Sequence, residues 1–181
     1  MQETRRELAK ESYLSEVASI IINIFVGLCL TLLILPRQSF GQIVLMVPAM
    51  ISTRGNISGS FSARTARDLV IGSFRQNHHE NILSTVVLTI VTSEVIGGLS
   101  LCIALLLKPG SLLPVHCFLL LPLITMLLTV VVSIPISTGL NTIAFKKGLN
   151  PSNVVPPIMT SVDDILVVVN MFIALVILGV P

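Results

Sequence analysis

The chain has 181 residues, of which 53% are hydrophobic and only 11% are charged, with a formal net charge of +2. Soluble domains carry about 25% charged residues, so this composition excludes an ordinary soluble protein and indicates an all-α integral membrane protein. The length fits about five spans of roughly 20 residues, with no room for a separate soluble domain. The three cysteines lie in apolar segments without C-x-x-C spacing, which predicts free buried thiols and no disulfide framework.

The first element in chain order is a polar lead at residues 1–16, in which acids and bases are mixed. This pattern predicts an amphipathic helix on the cytoplasmic side of the membrane. An uncharged run follows at residues 17–35 and predicts the first span. We expect this span to be retained, because the lead is not a short basic n-region and no small-residue cleavage site follows. Pro36 ends it.

The second predicted span, at residues 42–73, is long or broken. It contains Pro48 and a polar stretch around Gly55-Asn56, where we expect the helix to be interrupted. Broken helices occur at membrane depth where their backbone lines a cavity or is covered by protein. Gly59 and Ala63 are small residues at a spacing of four, which allows another helix to approach closely.

A polar segment at residues 75–81 predicts a loop, and the third span follows at residues 82–107. One acid, Glu94, interrupts this span. The fourth span is predicted at residues 112–145 and the fifth at residues 154–180, with a tight turn at Lys108-Pro109-Gly110 before the fourth.

Three prolines within or beside the fourth span should bend or segment it: Pro114, Pro122 and Pro135. The predicted fold class is therefore a bundle of five transmembrane helices.

The orientation follows from the distribution of Lys and Arg between the two sides of the membrane. A cytoplasmic N-terminus places eight basic residues on or near the cytoplasmic side and only Arg37 and Lys108 outside, with Arg54 unassigned in the expected break, which is a positive-inside signal. It also places the C-terminus outside the cell, on the reading that the protein lies in the plasma membrane. The eight are Arg5, Arg6, Lys10, Arg64, Arg67, Arg75, Lys146 and Lys147.

The main candidate site is the pair Asp163-Asp164, which lies at the start of an otherwise uncharged final span. A central Asp costs roughly 2.5–3.5 kcal/mol on insertion scales, so the pair predicts a compensating cation and a functional site. Thr160 lies three and four positions before the two acids and shares a helix face with each. Hard oxygen ligands of this kind suit Mg²⁺ or Ca²⁺. The alternative is that one Asp pairs with an Arg of the second span.

The number of ligands predicts a homodimer. One chain supplies only two acids at this depth, whereas a two-fold dimer brings up to four carboxylates to one axis. Mg²⁺ keeps most of its waters and favours carboxylates around its hydration shell.

Two further polar positions are candidate cation ligands. Glu94 is a lone intramembrane acid that could bind an ion, titrate, or pair with an arginine of the second span. Asn56 offers a side-chain amide, together with carbonyls freed by the expected break.

Other chemistry has less support in the sequence. The His78-His79-Glu80 cluster could bind a metal, but the ordinary interpretation is a solvated loop. No G-x-S-x-G, H-E-x-x-H or Walker motif is present, so we expect no enzyme, and no feature predicts a nucleic-acid partner.

Two stretches resemble the transmembrane domain of MgtE-type magnesium channels. One is Pro48-Ala-Met-Ile-Ser-Thr-Arg-Gly-Asn-Ile-Ser-Gly with the downstream Arg64, which is similar to the family's second segment. The other is Pro157-x-x-Thr-Ser-Val-Asp-Asp164, which is similar to the start of its fifth segment. The likeness is strongest to the archaeal and eukaryotic solute-carrier relatives and extends over most of residues 17–181.

The resemblance implies a homodimeric, Mg²⁺-selective pore in the lipid bilayer, lined by the second and fifth spans. By position, Asp164 corresponds to the family's pore Asp, Asn56 to its Gly-Asn motif, and Thr160 to a pore-facing position. Asp163 departs from the family, which commonly has an apolar residue or Gly there. The large cytoplasmic sensor domains of bacterial members have no counterpart in this sequence.

Three hypotheses follow from the sequence. The first is passive or secondary transport of divalent cations, mainly Mg²⁺, with Asp164 binding the hydrated ion. The second is a proton- or sodium-coupled exchanger that uses Glu94. The third is a membrane assembly subunit that transports nothing.

Overall fold

The computed structural model describes residues 5–33, 40–107 and 113–180. The predicted turn at residues 108–110 and the predicted end of the first span at Pro36 lie outside these residues. The described part is all-helical, and its five helices are α1 (Arg5–Leu33), α2 (Phe40–Ile71), α3 (Phe74–Leu107), α4 (Val115–Lys146) and α5 (Pro151–Ile177).

By length and apolar composition, three of these helices can cross a membrane, namely α3, α4 and α5. In α1 the apolar part is shorter, at Ser19–Leu33, and it continues without interruption from the polar lead. The composition and these helices make the chain a helical membrane protein.

Three sequence-based expectations about local structure are wrong. The helix α2 is not broken at Gly55-Asn56 but continues from residue 40 to residue 71, so no carbonyls are freed there. The predicted loop at residues 75–81 forms the first two turns of α3, because its polar side chains bond back to the end of α2. The expected segmentation of the fourth span does not occur either, since α4 is one continuous helix.

Helix boundaries follow from local chemistry. At the start of α5, the Asn150 side chain accepts a hydrogen bond from the Ser152 amide at 3.1 Å, and Pro151 takes the first helical position, where no amide partner is needed. Gly72 separates α2 from α3 with a φ of 83°, a conformation that favours glycine. Gly148 follows α4 with a φ of 74°, and the Leu149 amide bonds back to the Ala144 carbonyl at 3.0 Å.

The helix α5 lies at the centre of the bundle. It packs against α1, α2 and α4, while α3 packs against α2 and α4. One end is fixed by a bond from the Leu113 amide to the Gln42 side chain at 2.7 Å, which joins the beginnings of α4 and α2. The apolar core lies mainly between α2, α4 and α5 and includes Met46, Met126 and Met171, each fully buried.

The helices α3 and α4 approach each other closely at Gly97. A Cβ at this position would lie 2.5 Å from the Phe118 carbonyl oxygen, so the contact requires a residue without a side chain. Small residues allow such approaches between membrane helices. The adjacent Gly98 has open space around it.

This difference predicts that Gly97→Ala destabilises the protein whereas Gly98→Ala does not. The clash is with backbone, which cannot rotate away, so we expect Gly97→Ala to cost about 1–3 kcal/mol. Thermal unfolding in detergent micelles measures both variants. Equal stability of the two would contradict the packing described for α3 and α4.

Candidate functional site

A buried ion pair joins α2 to α5. The Nε atom of Arg54 lies 3.5 Å from Oδ2 of Asp163, and the two side chains are 1% and 0% exposed. The hydroxyls of Ser58 and Ser133 lie close to the same carboxylate but outside hydrogen-bond geometry. Asp163 therefore pairs with an arginine of the second span. The sequence had left this pairing open as an alternative to cation binding.

Asp164 has a different environment although it is the next residue. Its side chain is 6% exposed, and its Oδ1 atom is buried without a hydrogen-bond partner. In the part of the chain that the structure describes, no Lys, Arg or His side chain lies within ion-pair distance of it. Burying an uncompensated carboxylate is costly, so this position is suited to a cation that enters from outside the protomer.

The two acids differ because of helix geometry. Successive residues project about 100° apart on an α-helix. Asp163 faces Arg54 on α2, and Asp164 therefore projects about 100° away from that direction. The sequence favoured Asp164 as the ion ligand and left open that one Asp pairs with an arginine of the second span, and the packing of α2 shows that Asp163 is the paired residue.

Thr160 lies one turn before Asp164 and contacts α2 directly. Its Oγ1 hydroxyl donates a hydrogen bond to the Pro156 carbonyl at 3.0 Å, which fixes the rotamer and turns the Cγ2 methyl towards Gly55. A Cβ at Gly55 would lie 3.0 Å from that methyl. Gly55 thus allows α2 to approach α5 at the level of the aspartates.

Asn56 lies on the other side of α2, and its side chain is exposed. It belongs to an exposed row of small and polar residues that repeats at helical spacing. We call this row the α2 polar face, and it consists of Ser52, Asn56, Ser60 and Ala63. Within one protomer, Asn56 therefore does not join the buried contact between α2 and α5.

Glu94 is separate from the other candidates. It is half-buried on α3, and no ion pair joins it to Arg54, Arg64 or Arg67, all of which are described. In the described ranges α3 makes no close backbone contact with α5. The structure does not bring Glu94 to the aspartates.

The histidine cluster also lies apart from the aspartates. His78 is half-buried, with its ring centroid 4.5 Å from that of Phe74. Within residues 5–33, 40–107 and 113–180, no group of three or more His, Cys, Asp or Glu side chains could hold a metal ion.

Sequence reasoning missed another buried acid, Asp68, near the end of α2. It is 1% exposed and accepts hydrogen bonds from Asn81 at 2.8 Å, Asn77 at 3.3 Å and Ser73 at 3.4 Å, and it pairs with Arg67 at 3.2 Å. The carboxylate is satisfied by α3, so its role is to hold α2 and α3 together. The two asparagines four residues apart on α3 are a signal that could have revealed it.

Polar side chains also connect the remaining helices. Asn141 on α4 donates to the Ser62 hydroxyl on α2 at 3.0 Å, and Asn170 on α5 donates to the Thr129 hydroxyl on α4 at 3.0 Å. Ser19 on α1 bonds to Ser161 on α5. Each hydrogen bond of this kind contributes about 1–2 kcal/mol or less to the stability of a contact between membrane helices. Those made by Asn170 and Ser161 fix the position of α5 relative to its neighbours.

The fold and this site define the class of protein. It is a polytopic helical membrane protein that has an uncompensated acid at a contact between helices. The family model for MgtE, described as a divalent cation transporter, matches residues 47–174. This is more than half of the chain, and the chain belongs to the MgtE family, as the resemblance of its second and fifth segments predicted. The family is one of transporters and not of enzymes. Neither the curated proteins nor the solved structures yielded a significant match.

The contact between Gly55 and Thr160 gives a prediction for the site. Gly55→Ala should cost about 1 kcal/mol, because the new methyl meets Thr160 Cγ2 at a distance below ordinary contact. Combining it with Thr160→Ser, which removes Cγ2 and keeps the hydroxyl, should restore most of that loss.

A double-mutant cycle in thermal stability measures this coupling. Gly59→Ala is the matched control, since Gly59 is on the same helix with open space around it. Strictly additive effects of the Gly55 and Thr160 substitutions would count against direct contact.

Proposed function

We propose that the protein transports divalent cations, chiefly Mg²⁺, along a path at a homodimer interface lined by α2 and α5. Asp164 binds the hydrated ion. The family assignment supports divalent cation transport in general, while the ion, the dimer and the residue roles are our proposals.

The observation that carries the proposal is the unpartnered carboxylate of Asp164. Its Oδ1 atom is buried and lacks a donor, whereas the other buried acid of α5 has Arg54 and Asp68 of α2 has three hydrogen-bond donors besides Arg67. A carboxylate left without a counter-charge at a helix contact is the feature expected of an ion-binding position in a membrane. Mg²⁺ suits it, because this ion binds through one or two carboxylates and keeps several waters.

The α2 polar face supports the homodimer. A helix that contacts lipid through Ser52, Asn56 and Ser60 would expose hydroxyl and amide groups to hydrocarbon, which is unfavourable. A second copy of α2 across a two-fold axis would cover these groups, and small residues would allow close approach. The two copies of Asp164 would then serve one path, with Asn56 and Thr160 as polar groups along it.

The membrane topology we propose has five spans, with the N-terminus in the cytoplasm. The apolar part of α1 and the whole of α2 then cross the bilayer together with α3, α4 and α5. The distribution of basic residues supports this orientation. Arg67, near the cytoplasmic end of α2, is exposed, and we propose that the polar side chains deeper in the bilayer are covered by other helices or by the second protomer.

Transport tests the role of Asp164 directly. In proteoliposomes containing a Mg²⁺-sensitive dye, Asp164→Asn should reduce the initial rate of Mg²⁺ entry at least tenfold, since it removes the uncompensated charge. The control Glu80→Gln removes an exposed carboxylate and should retain the wild-type rate. Wild-type flux in Asp164→Asn would refute the assignment.

The same assay separates the alternatives raised by the sequence. Loss of flux in Glu94→Gln, together with a requirement for a proton or sodium gradient, would favour the coupled exchanger. Absence of Mg²⁺ flux and of Mg²⁺ binding in the wild-type protein would favour the assembly subunit.

Cross-linking tests the dimer. In a background without Cys29, Cys102 and Cys117, the variant Asn56→Cys should form a disulfide-linked dimer in membranes after mild oxidation. Val87→Cys is the control, because Val87 is exposed on α3 away from the proposed axis. Dimers that form equally from both variants, or from neither, would contradict an interface through the α2 polar face.

A further inference from the structure

We infer that Arg54 is a charge-setting residue for the transport site: it cancels the charge of Asp163, so that Asp164 alone presents charge to the ion. The inference rests on the proposed function and adds a specificity-determining role for a residue that does not itself bind the cation.

Arg54 and Asp163 are buried together between α2 and α5. Arg54 and Asp163 are 1% and 0% exposed, so neither can exchange its partner for water. Arg54 is among the largest fully buried side chains of the described residues. A guanidinium at membrane depth is costly by itself, and an adjacent carboxylate is the group that compensates it.

The contact between Arg54 and Asp163 is an ion pair without a hydrogen bond. The Arg54 Nε and both carboxylate oxygens of Asp163 lack a hydrogen bond of good geometry, although Nε and Oδ2 are 3.5 Å apart. What the pair supplies is therefore charge compensation, not directional bonding. Neutral side chains at both positions would remove the two charges together.

The net charge of the site follows from three residues. The formal charges of Asp163, Asp164 and Arg54 are −1, −1 and +1, so these three residues give the site of each protomer a net formal charge of −1. Two protomers present −2, which balances one divalent cation. Without Arg54 the dimer would present −4, a charge that favours tighter binding or a second ion and slows release. The paired arginine therefore gives the dimeric site a charge equal in size and opposite in sign to that of one divalent cation.

Adjacent residues receive different roles in this scheme. Asp163 acts as the counter-ion of Arg54, and Asp164 as the ligand of the ion. The additional acid, by which this chain departs from the family pattern at residue 163, is balanced within the protomer.

The experiment compares one single and one double substitution. Asp163→Asn leaves Arg54 as an unpaired cation and changes the net formal charge of the three-residue site in each protomer from −1 to 0. The half-saturating Mg²⁺ concentration for transport should then rise roughly tenfold or more, because a positive charge remains near the ion. The double variant Arg54→Gln/Asp163→Asn restores the net charge of −1, and its half-saturating concentration should fall within about threefold of wild type.

Arg67→Gln is the matched control, since it removes the same charge from the same helix at an exposed position. It should leave the half-saturating concentration unchanged. Thermal stability is measured in parallel, so that loss of folding in the single variant is distinguished from loss of affinity. Mg²⁺ titration calorimetry in detergent gives a second measure of binding.

The outcomes separate the inference from the proposed function. If Asp164→Asn abolishes flux but the double variant is as impaired as Asp163→Asn, then Asp163 contacts the ion and the inference is overturned. A double variant that fails to fold overturns it too, because the pair would then do more than cancel charge. If Asp164→Asn transports like wild type, the proposed function itself fails.

Discussion

The buried contact between Arg54 and Asp163 constrains much of the structure. A charge that is fully buried at membrane depth must have its partner in place, so Arg54 of α2 and Asp163 of α5 lie side by side. The approach that the pair requires is possible because Gly55 leaves room for Thr160 one turn away. Polar bonds from Asn141 and Asn170 then hold α4 against both helices. The centre of the bundle is thus organised by a few polar contacts, with apolar packing around them.

This arrangement explains how two acids in sequence can have unequal roles. Lipid provides no compensation for a buried charge, so each intramembrane acid must find a partner in the protein or bind a cation. Asp68 is satisfied by side chains of α3 and by Arg67, and Asp163 by Arg54. Asp164 has no such partner among the described residues, and its position beside the α2–α5 contact makes it the site of greatest interest for transport.

The polar interior and the exposed polar row on α2 are related features. Small and polar residues inside the protomer allow helices to approach and to bond. The same residue types on the outside of α2 would be poorly matched to lipid, and a second protomer is the covering that a two-fold transporter would supply. In such a dimer the covering surface and the ion path would be formed by the same helix.

The sequence by itself determined the class of protein, the approximate positions of the helices and the family, because composition, long apolar runs and short motifs are local properties. It also singled out the aspartate pair as the candidate site. Predictions from the sequence were wrong where contacts with neighbouring helices override the local preference for a break or a loop. The helix α2 continues through Gly55, where Thr160 of α5 packs against it, and residues 75–81 are helical, with Asn77 and Asn81 bonded to Asp68. Only the tertiary structure decided that Asp163 pairs with Arg54, that Asp164 is left without a partner, and that Glu94 lies elsewhere. Those differences depend on which helix faces which, and residues 109 positions apart in the sequence, such as Arg54 and Asp163, meet only when the bundle forms.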